Sequence, residues 1–428
     1  MSTSPDAPTE AQAPAPLLRT KGFLALWTGQ TISTIGNQLS GLAFPVFAVT
    51  MLGINEWQIG ILNAASTASF LLVGLTAGAL VDRMRKRRVM LVADVIRFVA
   101  TLSIPILYFA GAIQIWHLFI AAAINGLATV FFDVSYQSYI PILVPKDKIA
   151  PANSALETTS QISGLGGPAI VGFLLTVIKA PFVLVVDAFS FLASVLSLSV
   201  IRDREVPTPK HERQPLRNEI AEGIRFVWSN KIIRSISFTT ATSNLFSTAM
   251  YTLFPIVILR SLHLSVAAFG LIESLSAVGG LLGAISAAKL AKLIGEGQLV
   301  AASAIVTGLC TFGPAIAIHL GQLPAMVMLV VTQALTSFTV LTYNITQVSA
   351  RQRLCPERLL GRMNASIRFF VWGVMPIGAL LSGAVATAIG IIPVLWICAI
   401  GGLLSAGFVT FAPLSRMRSL GTSEDAAV

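Results

Sequence analysis

Charged residues are scarce in this chain. They make up 11% of its 428 residues, whereas a soluble globular domain carries about 25%. The sequence therefore has too little polar surface for a soluble protein of this size. Its hydrophobic residues, 55% of the total, instead form long runs from one end of the chain to the other. A transmembrane helix needs about 20 mostly apolar residues, and these runs are long enough.

Other absences exclude further classes of protein. The sequence contains no Gly-Lys dipeptide and hence no G-x-x-x-x-G-K-[ST] phosphate-binding loop, which argues against an ATP-driven pump. Its three cysteines, Cys310, Cys355 and Cys398, lack the spacing of a metal site or a disulfide framework, and we expect free thiols. Because no nucleophile–base set or metal-ligand cluster is evident, we expect no enzyme activity, no cofactor and no metal.

The two halves of the chain repeat each other at a nearly constant offset. Gly60 reappears 210 residues later as Gly270, and Asn153 reappears 211 residues later as Asn364. Two six-helix repeats that start on the same side of a membrane are related by an axis along the membrane normal. We therefore predict an all-α membrane protein with twelve transmembrane helices in two pseudo-symmetric six-helix bundles. The predicted regions are a disordered tail (1–20), the N-terminal bundle (21–201), a linker (202–231) with a surface helix over 216–229, the C-terminal bundle (232–414) and a second tail (415–428).

Lysine and arginine are concentrated on one side of the predicted helices. If the N-terminus is cytoplasmic, all but four of the 29 basic residues fall in tails or loops on the cytoplasmic side. The exceptions are Arg97, Lys179, Arg260 and Arg368. Short cytoplasmic loops collect Lys and Arg, so the net charge of +10 reflects membrane topology and does not indicate nucleic-acid binding.

The loop after the second apolar segment carries a recognisable motif. Residues 78–88 read Gly-Ala-Leu-Val-Asp-Arg-Met-Arg-Lys-Arg-Arg, which resembles the G-x-L-x-D-R-x-G-R-[RK] loop of the major facilitator superfamily. Arg85 stands where that family has glycine. With residues 94–97 and 187–191, the match resembles the branch that holds macrolide-efflux proteins and the enterobactin exporter. The residues assigned to the signature loop are Gly78, Asp82, Arg83, Arg87 and Arg88.

The resemblance implies a major facilitator fold, in which the first and fourth spans of each half line a central cavity. It therefore places Asp133, in the fourth span, at that cavity. Polar side chains of these spans are the candidates for the cavity lining. They are Gln30, Asn37, Gln38, Asn244, Tyr251, Gln333, Tyr343 and Asn344.

Small residues also form patterns within the spans. Gly167, Pro168 and Gly172 in the fifth span resemble the G-P-x-x-G-G motif of family exporters, with altered spacing. They predict either a motif with a role specific to export or a helix that is kinked at Pro168 and carries small residues for close packing. The GxxxG pairs, Gly74 with Gly78 and Gly279 with Gly283, predict packing alone.

Ionisable side chains inside membrane spans are costly and usually face a cavity or a partner. Asp94 and Arg97 lie three residues apart, and we expect a structural ion pair. Asp133 and Glu273 are the candidates for proton coupling, with a structural hydrogen bond as the alternative role of Asp133. Asp187 is less attractive, because it could simply bond nearby backbone or a preceding lysine.

Laying one half over the other predicts two charge pairs. Asp82 maps by 210 residues onto Lys292, and Arg368 maps by 211 residues onto Glu157. In the resembling fold, span two packs beside span eleven and span eight beside span five. We therefore predict gate pairs between Asp82 and Arg368 and between Glu157 and Lys292, formed when the cavity closes on the cytoplasmic side. The alternative is that these charges only snorkel to the membrane surface.

Together these features predict a proton-coupled secondary transporter. It would export amphipathic organic compounds, antibiotic-like or siderophore-like, by alternating access. Its partners would be that substrate, protons and membrane lipid, without nucleic acid, and we expect a monomer in a bacterial inner membrane with both termini cytoplasmic. The alternatives are an importer or lipid flippase of the same fold, and a non-transporting membrane sensor or assembly factor.

Overall fold

The computed structural model describes residues 21–82, 84–145, 148–202, 216–356 and 359–420, and it places nearly all of them in helices. Twelve helical segments within these ranges are long and apolar enough to cross a membrane, which confirms the predicted number of spans. The N-terminal half consists of α1 (Lys21–Thr50), α2 (Glu56–Asp82), α3 (Lys86–Phe109), α4 (Ile115–Leu143), α5 (Ile149–Val177) and α6 (Ala180–Val200).

The C-terminal half is less regular. A short helix, α7 (Leu216–Ser229), lies where the surface helix was predicted, and residues 203–215 of the linker lie outside the described part. Span seven ends in a π-helical turn, and spans nine, eleven and twelve are each built from two helices. The elements are α8 (Lys231–Ile256) with the π-turn Val257–Ser261, α9 (Val266–Ile294), α10 (Glu296–Cys310), α11 (Phe312–Ala317), α12 (Gln322–Leu354), α13 (Leu360–Gly373), α14 (Met375–Ile389), α15 (Ile391–Ser405) and α16 (Gly407–Thr410).

The two halves meet along two helix pairs. Helix α2 packs against α13 and α14, and α5 packs against α9, as predicted for spans two and eleven and for spans five and eight. At each contact two glycines face each other. A Cβ at Gly60 would lie 3.1 Å from the Cα of Gly383, and one at Gly172 would lie 2.8 Å from the Cα of Gly270. The helices therefore touch through their backbones.

The two ends of the bundle are packed differently. We call the end at which α1 begins and α16 ends the proximal end, and the opposite one the distal end. A distal apolar cluster contains buried side chains of both halves, among them Phe47, Leu184, Phe254 and Leu395. The apolar clusters described at the proximal end each belong to one half. The halves are therefore closed together distally, and the space between them faces the proximal end.

Of the two glycine pairs predicted to support close helix packing, only one has a neighbouring helix in contact with the glycines that are described. A Cβ at Gly279 would lie 2.0 Å from the carbonyl oxygen of Ala334, and one at Gly283 would lie 2.3 Å from that of Phe338. These glycines let α9 approach α12, as predicted. The prediction for Gly74 was wrong, because a Cβ there would meet no described atom within 4 Å. Small residues on a helix do not reveal which face has a neighbour.

The signature loop is only partly described. Arg83 lies outside the described residues, as do the Asp82 side chain and the surroundings of Gly78. Arg87 donates hydrogen bonds from Nε to the carbonyl oxygen of Leu198 at 2.9 Å and from Nη2 to that of Ser199 at 2.7 Å. It thus binds carbonyl groups at the C-terminal end of α6, while Arg88 is exposed. The three cysteines are free thiols, as predicted.

Candidate functional site

A cavity of about 580 Å³ lies between the halves, on the proximal side of the distal cluster. Its walls come from all six transmembrane helices of the N-terminal half, α1 to α6, and from α8 and α9 of the C-terminal half. Apolar and aromatic groups form most of the exposed surface of the cavity, although about half of its lining residues carry a polar side chain. The charged side chains in the described lining are Arg97, Asp187 and Glu273, so the cavity holds one more potential negative charge than positive charge.

Arg97 is fixed on the N-terminal wall. Its Nη1 lies 3.3 Å from Oδ1 of Asp94, so the predicted ion pair forms. Its Nη2 donates to Oδ1 of Asn37 at 2.9 Å, and its guanidinium lies 4.1 Å from the ring centroid of Phe191. A carboxylate, an amide and an aromatic ring therefore hold this cation. All three belong to the N-terminal half, so the charge of Arg97 interacts with groups of its own half.

Asp187 also belongs to the N-terminal wall, where it accepts hydrogen bonds from the hydroxyl groups of Ser40 and Ser190. It is almost fully buried from solvent and borders the cavity. Gly36 makes room for it, because a Cβ at that position would lie 2.5 Å from Oδ1 of Asp187. The expectation that Asp187 bonds backbone or Lys179 was wrong, since α1 packs directly over α6 and supplies a hydroxyl.

The C-terminal wall holds its carboxylate with fewer partners. Oε2 of Glu273 accepts a hydrogen bond of 2.6 Å from the hydroxyl of Tyr251. Oε1 is buried and has no hydrogen-bond partner among the described residues. Tyr251 is half exposed, and because it lines the cavity this exposure is towards the cavity. One oxygen of Glu273 therefore has no hydrogen-bond partner in the described structure and can take up a proton.

Polar contacts cross between the halves at the distal side of the cavity. Nδ2 of Asn63 donates to Oγ1 of Thr252 at 2.8 Å. Further towards the distal end, Nη2 of Arg260 donates to the carbonyl oxygen of Val49 at 3.0 Å. Arg260 lies on the π-turn after α8, and Val49 lies in the last turn of α1. These bonds supplement the apolar closure of this end.

Three of the eight predicted lining residues, Asn37, Gln38 and Tyr251, line the cavity. The other five lie outside its described lining, and two of them bond to neighbouring helices. The hydroxyl of Tyr343 lies 3.0 Å from that of Thr240, and Asn244 donates to the carbonyl oxygen of Val371 at 3.1 Å. The remaining three are Gln30, Gln333 and Asn344.

The proton-coupling candidates lie in different places. Glu273 lines the cavity, whereas Asp133 lies outside the described lining, one helical turn beyond Thr129, which does line it. Asp133 is within electrostatic range of Arg97 in its own half and of Arg368 in the other half. It therefore sits on the proximal side of the cavity, where the two halves are apart.

The predicted gate pairs fall partly outside the described structure. The side chains of Asp82 and Glu157 are not among those described, so neither pair has a measured distance. The guanidinium of Arg368 lies 5.5 Å from the ring centroid of Trp372, and Lys292 is exposed at the end of α9. The helices that carry each pair do pack against each other.

The glycines of the fifth-span motif serve close packing, and Pro168 between them lines the cavity. Helix α5 runs through Pro168 without a break. A Cβ at Gly167 would lie 2.7 Å from the Cβ of Gln38 on α1, and Gly172 touches Gly270 on α9. These contacts agree with the packing interpretation, and a role in export remains a hypothesis.

Asp187 is the cavity residue that sequence reasoning undervalued. It lies seven residues after the start of α6, and Glu273 lies seven residues after the start of α9. At 1.5 Å per residue both carboxylates are about 10 Å from the distal ends of their helices. This equal depth is visible in the sequence and could have identified Asp187. No comparable feature of the sequence indicated that Asn63 and Thr252 would form a hydrogen bond between the two halves.

Comparison with known proteins agrees with this geometry. A family model of the major facilitator type, described as transmembrane secretion effector, matches residues 11–426. This chain belongs to that family. It is therefore an efflux or secretion transporter of the major facilitator type that crosses a membrane many times, and it is not an enzyme.

Several proteins with related sequences are named as efflux pumps or exporters. The multidrug efflux pump Tap of Mycolicibacterium fortuitum is 24% identical over 93% of this chain and 95% of its own length. Macrolide efflux protein A of Streptococcus pyogenes is 23% identical, over 86% of this chain and 90% of its own. Enterobactin exporter EntS of Escherichia coli O1:K1 / APEC is 27% identical, over 81% of each chain. The predicted resemblance is thus confirmed.

The fold is also shared with solved transporter structures. A bacterial homologue of the iron transporter ferroportin, solved in an inward-facing state, superimposes with a TM-score of 0.76. It covers 93% of this chain and 99% of its own, at 17% sequence identity. At that identity the likeness supports the major facilitator fold alone.

Proposed function

We propose that this transporter is a proton-coupled exporter of amphipathic organic compounds that works by alternating access. The observation that carries the proposal is the half-satisfied carboxylate of Glu273 in the cavity wall. An ionised carboxylate with a free oxygen in a membrane interior is costly. Glu273 therefore favours a bound proton or a bound positive group, and exchange between the two would couple proton entry to substrate release.

The cavity suits an amphipathic molecule. An apolar and aromatic lining with a few placed polar groups is typical of sites for organic ligands. Its volume of about 580 Å³ is within the range of such sites. Among related proteins, one is named a multidrug efflux pump, one a macrolide efflux protein and one an enterobactin exporter, which supports antibiotic-like or siderophore-like substrates.

We assign the proximal end to the cytoplasm of a bacterial cell, so that both termini are cytoplasmic. The excess of Lys and Arg in the loops of that end supports this orientation. The state with a closed distal end is then inward-facing and ready to take substrate from the cytoplasm. Protons would enter from outside in the alternate state, with Glu273 as first acceptor and Asp133 as a second site nearer the cytoplasm. The transporter would work as a monomer.

The test is transport by the purified full-length protein in proteoliposomes under an imposed pH gradient, across a panel of amphipathic compounds. We expect Glu273→Gln to abolish gradient-driven transport while substrate binding or counterflow exchange remains measurable, because the amide cannot carry a proton. Asp133→Asn is measured in the same way and decides whether one or two carboxylates couple.

The matched control is Glu56→Gln. Glu56 is an acidic residue in the first turn of α2, outside the described lining of the cavity, and its neutralisation should leave the pH dependence unchanged. Wild-type proton coupling in both Glu273→Gln and Asp133→Asn would contradict the proposal. Gradient-driven uptake into cells, in place of efflux, would favour the importer.

A further inference from the structure

A second groove lies on the outside of the C-terminal half at the proximal end, separate from the cavity. It runs between the first turn of α8 and the last turns of span twelve, with a volume of about 460 Å³. Its polar edge consists of Lys231, Arg234 and Ser235. Residues spaced three and four apart share one face of a helix, so these side chains point to the same side of α8.

The floor of the groove is apolar and open to its surroundings. Phe411 is 91% exposed, Leu404 is 69% exposed and Phe408 is 46% exposed. Leu404 and Phe408 lie in the last turns of a membrane-spanning segment and Phe411 directly follows its end, so we expect their exposed surface to contact lipid chains. The cationic edge and the apolar floor thus meet where the hydrocarbon region of the membrane ends.

Aromatic packing fixes the position of this edge. Trp228, at the end of α7, is more than half exposed, and its ring lies 5.7 Å from that of Phe238. The ring of Phe238 stacks at 5.6 Å on Phe408 in the groove floor. Nη1 of Arg234 donates to the carbonyl oxygen of Trp228 at 3.2 Å. Since tryptophan is enriched at the membrane–water interface, Arg234 is held at the depth of lipid headgroups.

We propose that this groove binds an anionic phospholipid of the leaflet at the proximal end. The headgroup phosphate would accept hydrogen bonds from Lys231 and Arg234, and an acyl chain would lie along Phe408 and Phe411. The Ser235 hydroxyl donates to the carbonyl oxygen of Lys231 and only borders the site. The described lining holds two cations and no acidic residue, and basic pockets between transmembrane helices favour anionic headgroups. The inference needs only a membrane location and does not depend on the proposed transport cycle.

The test is lipid binding to the delipidated, full-length protein in detergent, followed by native mass spectrometry. Phosphatidylglycerol and phosphatidylcholine with identical acyl chains are titrated in parallel. The wild-type protein is expected to retain phosphatidylglycerol preferentially. The double variant Lys231→Gln/Arg234→Gln is expected to bind it about thirtyfold more weakly, since each cation near a headgroup contributes about a factor of five.

A matched double variant controls for charge alone. Lys289 and Lys292 are two exposed cations, also three residues apart on one helix at the proximal end, and Lys289→Gln/Lys292→Gln should bind phosphatidylglycerol like the wild type. A Cβ at Gly407 would meet only the Phe411 ring, at an ordinary 3.7 Å. Gly407→Leu should therefore be tolerated and, by filling the groove, should weaken the binding of both lipids.

Three results would overturn the proposal. The first is equal binding of the two lipids by the wild-type protein. The second is unchanged phosphatidylglycerol binding by Lys231→Gln/Arg234→Gln. The third is displacement of the lipid by glycerol phosphate at concentrations equal to that of the lipid, which would show a soluble phosphate site in place of a lipid site.

Discussion

At the distal end of this transporter, side chains of both halves share one apolar cluster, whereas at the proximal end each described cluster belongs to a single half. The distal end also has hydrogen bonds between the halves, from Asn63 to Thr252 and from Arg260 to Val49. The proximal end instead brings charged residues such as Asp133 and Arg368 within electrostatic range across the gap. Close packing of apolar side chains closes the distal end. At the proximal end, charged side chains of the two halves lie where they can attract each other and close it.

The duplication of the chain explains why the distal closure has two similar contacts. Gly60 and Gly270 are related by an offset of 210 residues, and Gly172 and Gly383 by 211. Each contact therefore joins a glycine of a second span to a glycine of a fifth span, once on either side of the pseudo-symmetry axis. Backbone contact tolerates no added side chain, so this closure is sensitive to single substitutions.

The largest effect is expected when a bulky side chain is placed at both glycine contacts that hold the distal end closed. We expect Gly60→Leu/Gly172→Leu to disfavour the distal-closed state, because overpacking costs about 1–3 kcal/mol at each site. The measurement is labelling of a cysteine at Thr252, on the distal side of the cavity, by a membrane-impermeant maleimide applied to intact cells. Labelling should rise strongly, and transport should be largely lost.

The same helices provide the controls for that experiment. A Cβ at Gly74 on α2 or at Gly164 on α5 would meet no described atom within 4 Å. Gly74→Leu/Gly164→Leu should therefore leave both labelling and transport near wild type. If the two double variants behaved alike, the glycine contacts would not be what holds the distal end closed.

A smaller effect is expected from the distal hydrogen bond of Arg260. Its guanidinium binds a carbonyl group at the C-terminal end of α1, and such a charge-assisted bond contributes about 1–2 kcal/mol. Arg260→Gln should increase labelling at position 252 less than the glycine variants do. Lys179, an exposed cation outside this contact, provides the control Lys179→Gln. Equal labelling in Arg260→Gln and the wild type would show that this bond does not contribute to closing the distal end.

The smallest effect is expected at the proximal end, where Lys292 of one proposed gate pair is exposed. An exposed ion pair contributes only about 0–1 kcal/mol. Asp82→Lys should reduce transport a fewfold by favouring the open proximal end, and the swap Asp82→Lys/Arg368→Asp should restore part of it. Recovery is measured as initial transport rate in proteoliposomes. A swap no better than the worse single variant would count against the pair.

Local spacing made parts of the site predictable. Asp94 and Arg97 pair because three residues separate them on one helix, and Glu273 is an isolated acid in an apolar span. Residues that depend on a neighbouring helix were not predictable in this way. Asp187 meets Ser40 only because α1 packs over α6 at Gly36.

The sequence by itself determined the twelve spans and their division into two related halves. Hydropathy along the chain and an internal repeat are sufficient for this, because each span must satisfy its own backbone in the membrane. The adjacency of spans two with eleven and of five with eight was implied by the resemblance to the major facilitator fold. Only the tertiary structure decided which face of each helix meets the cavity. It placed Tyr343 among hydrogen bonds within its own half, Asp187 in the cavity wall and Gly74 in open space. The rotation of a helix about its axis is set by the helices packed against it, and hydropathy carries little information about it when most of the helix surface is apolar.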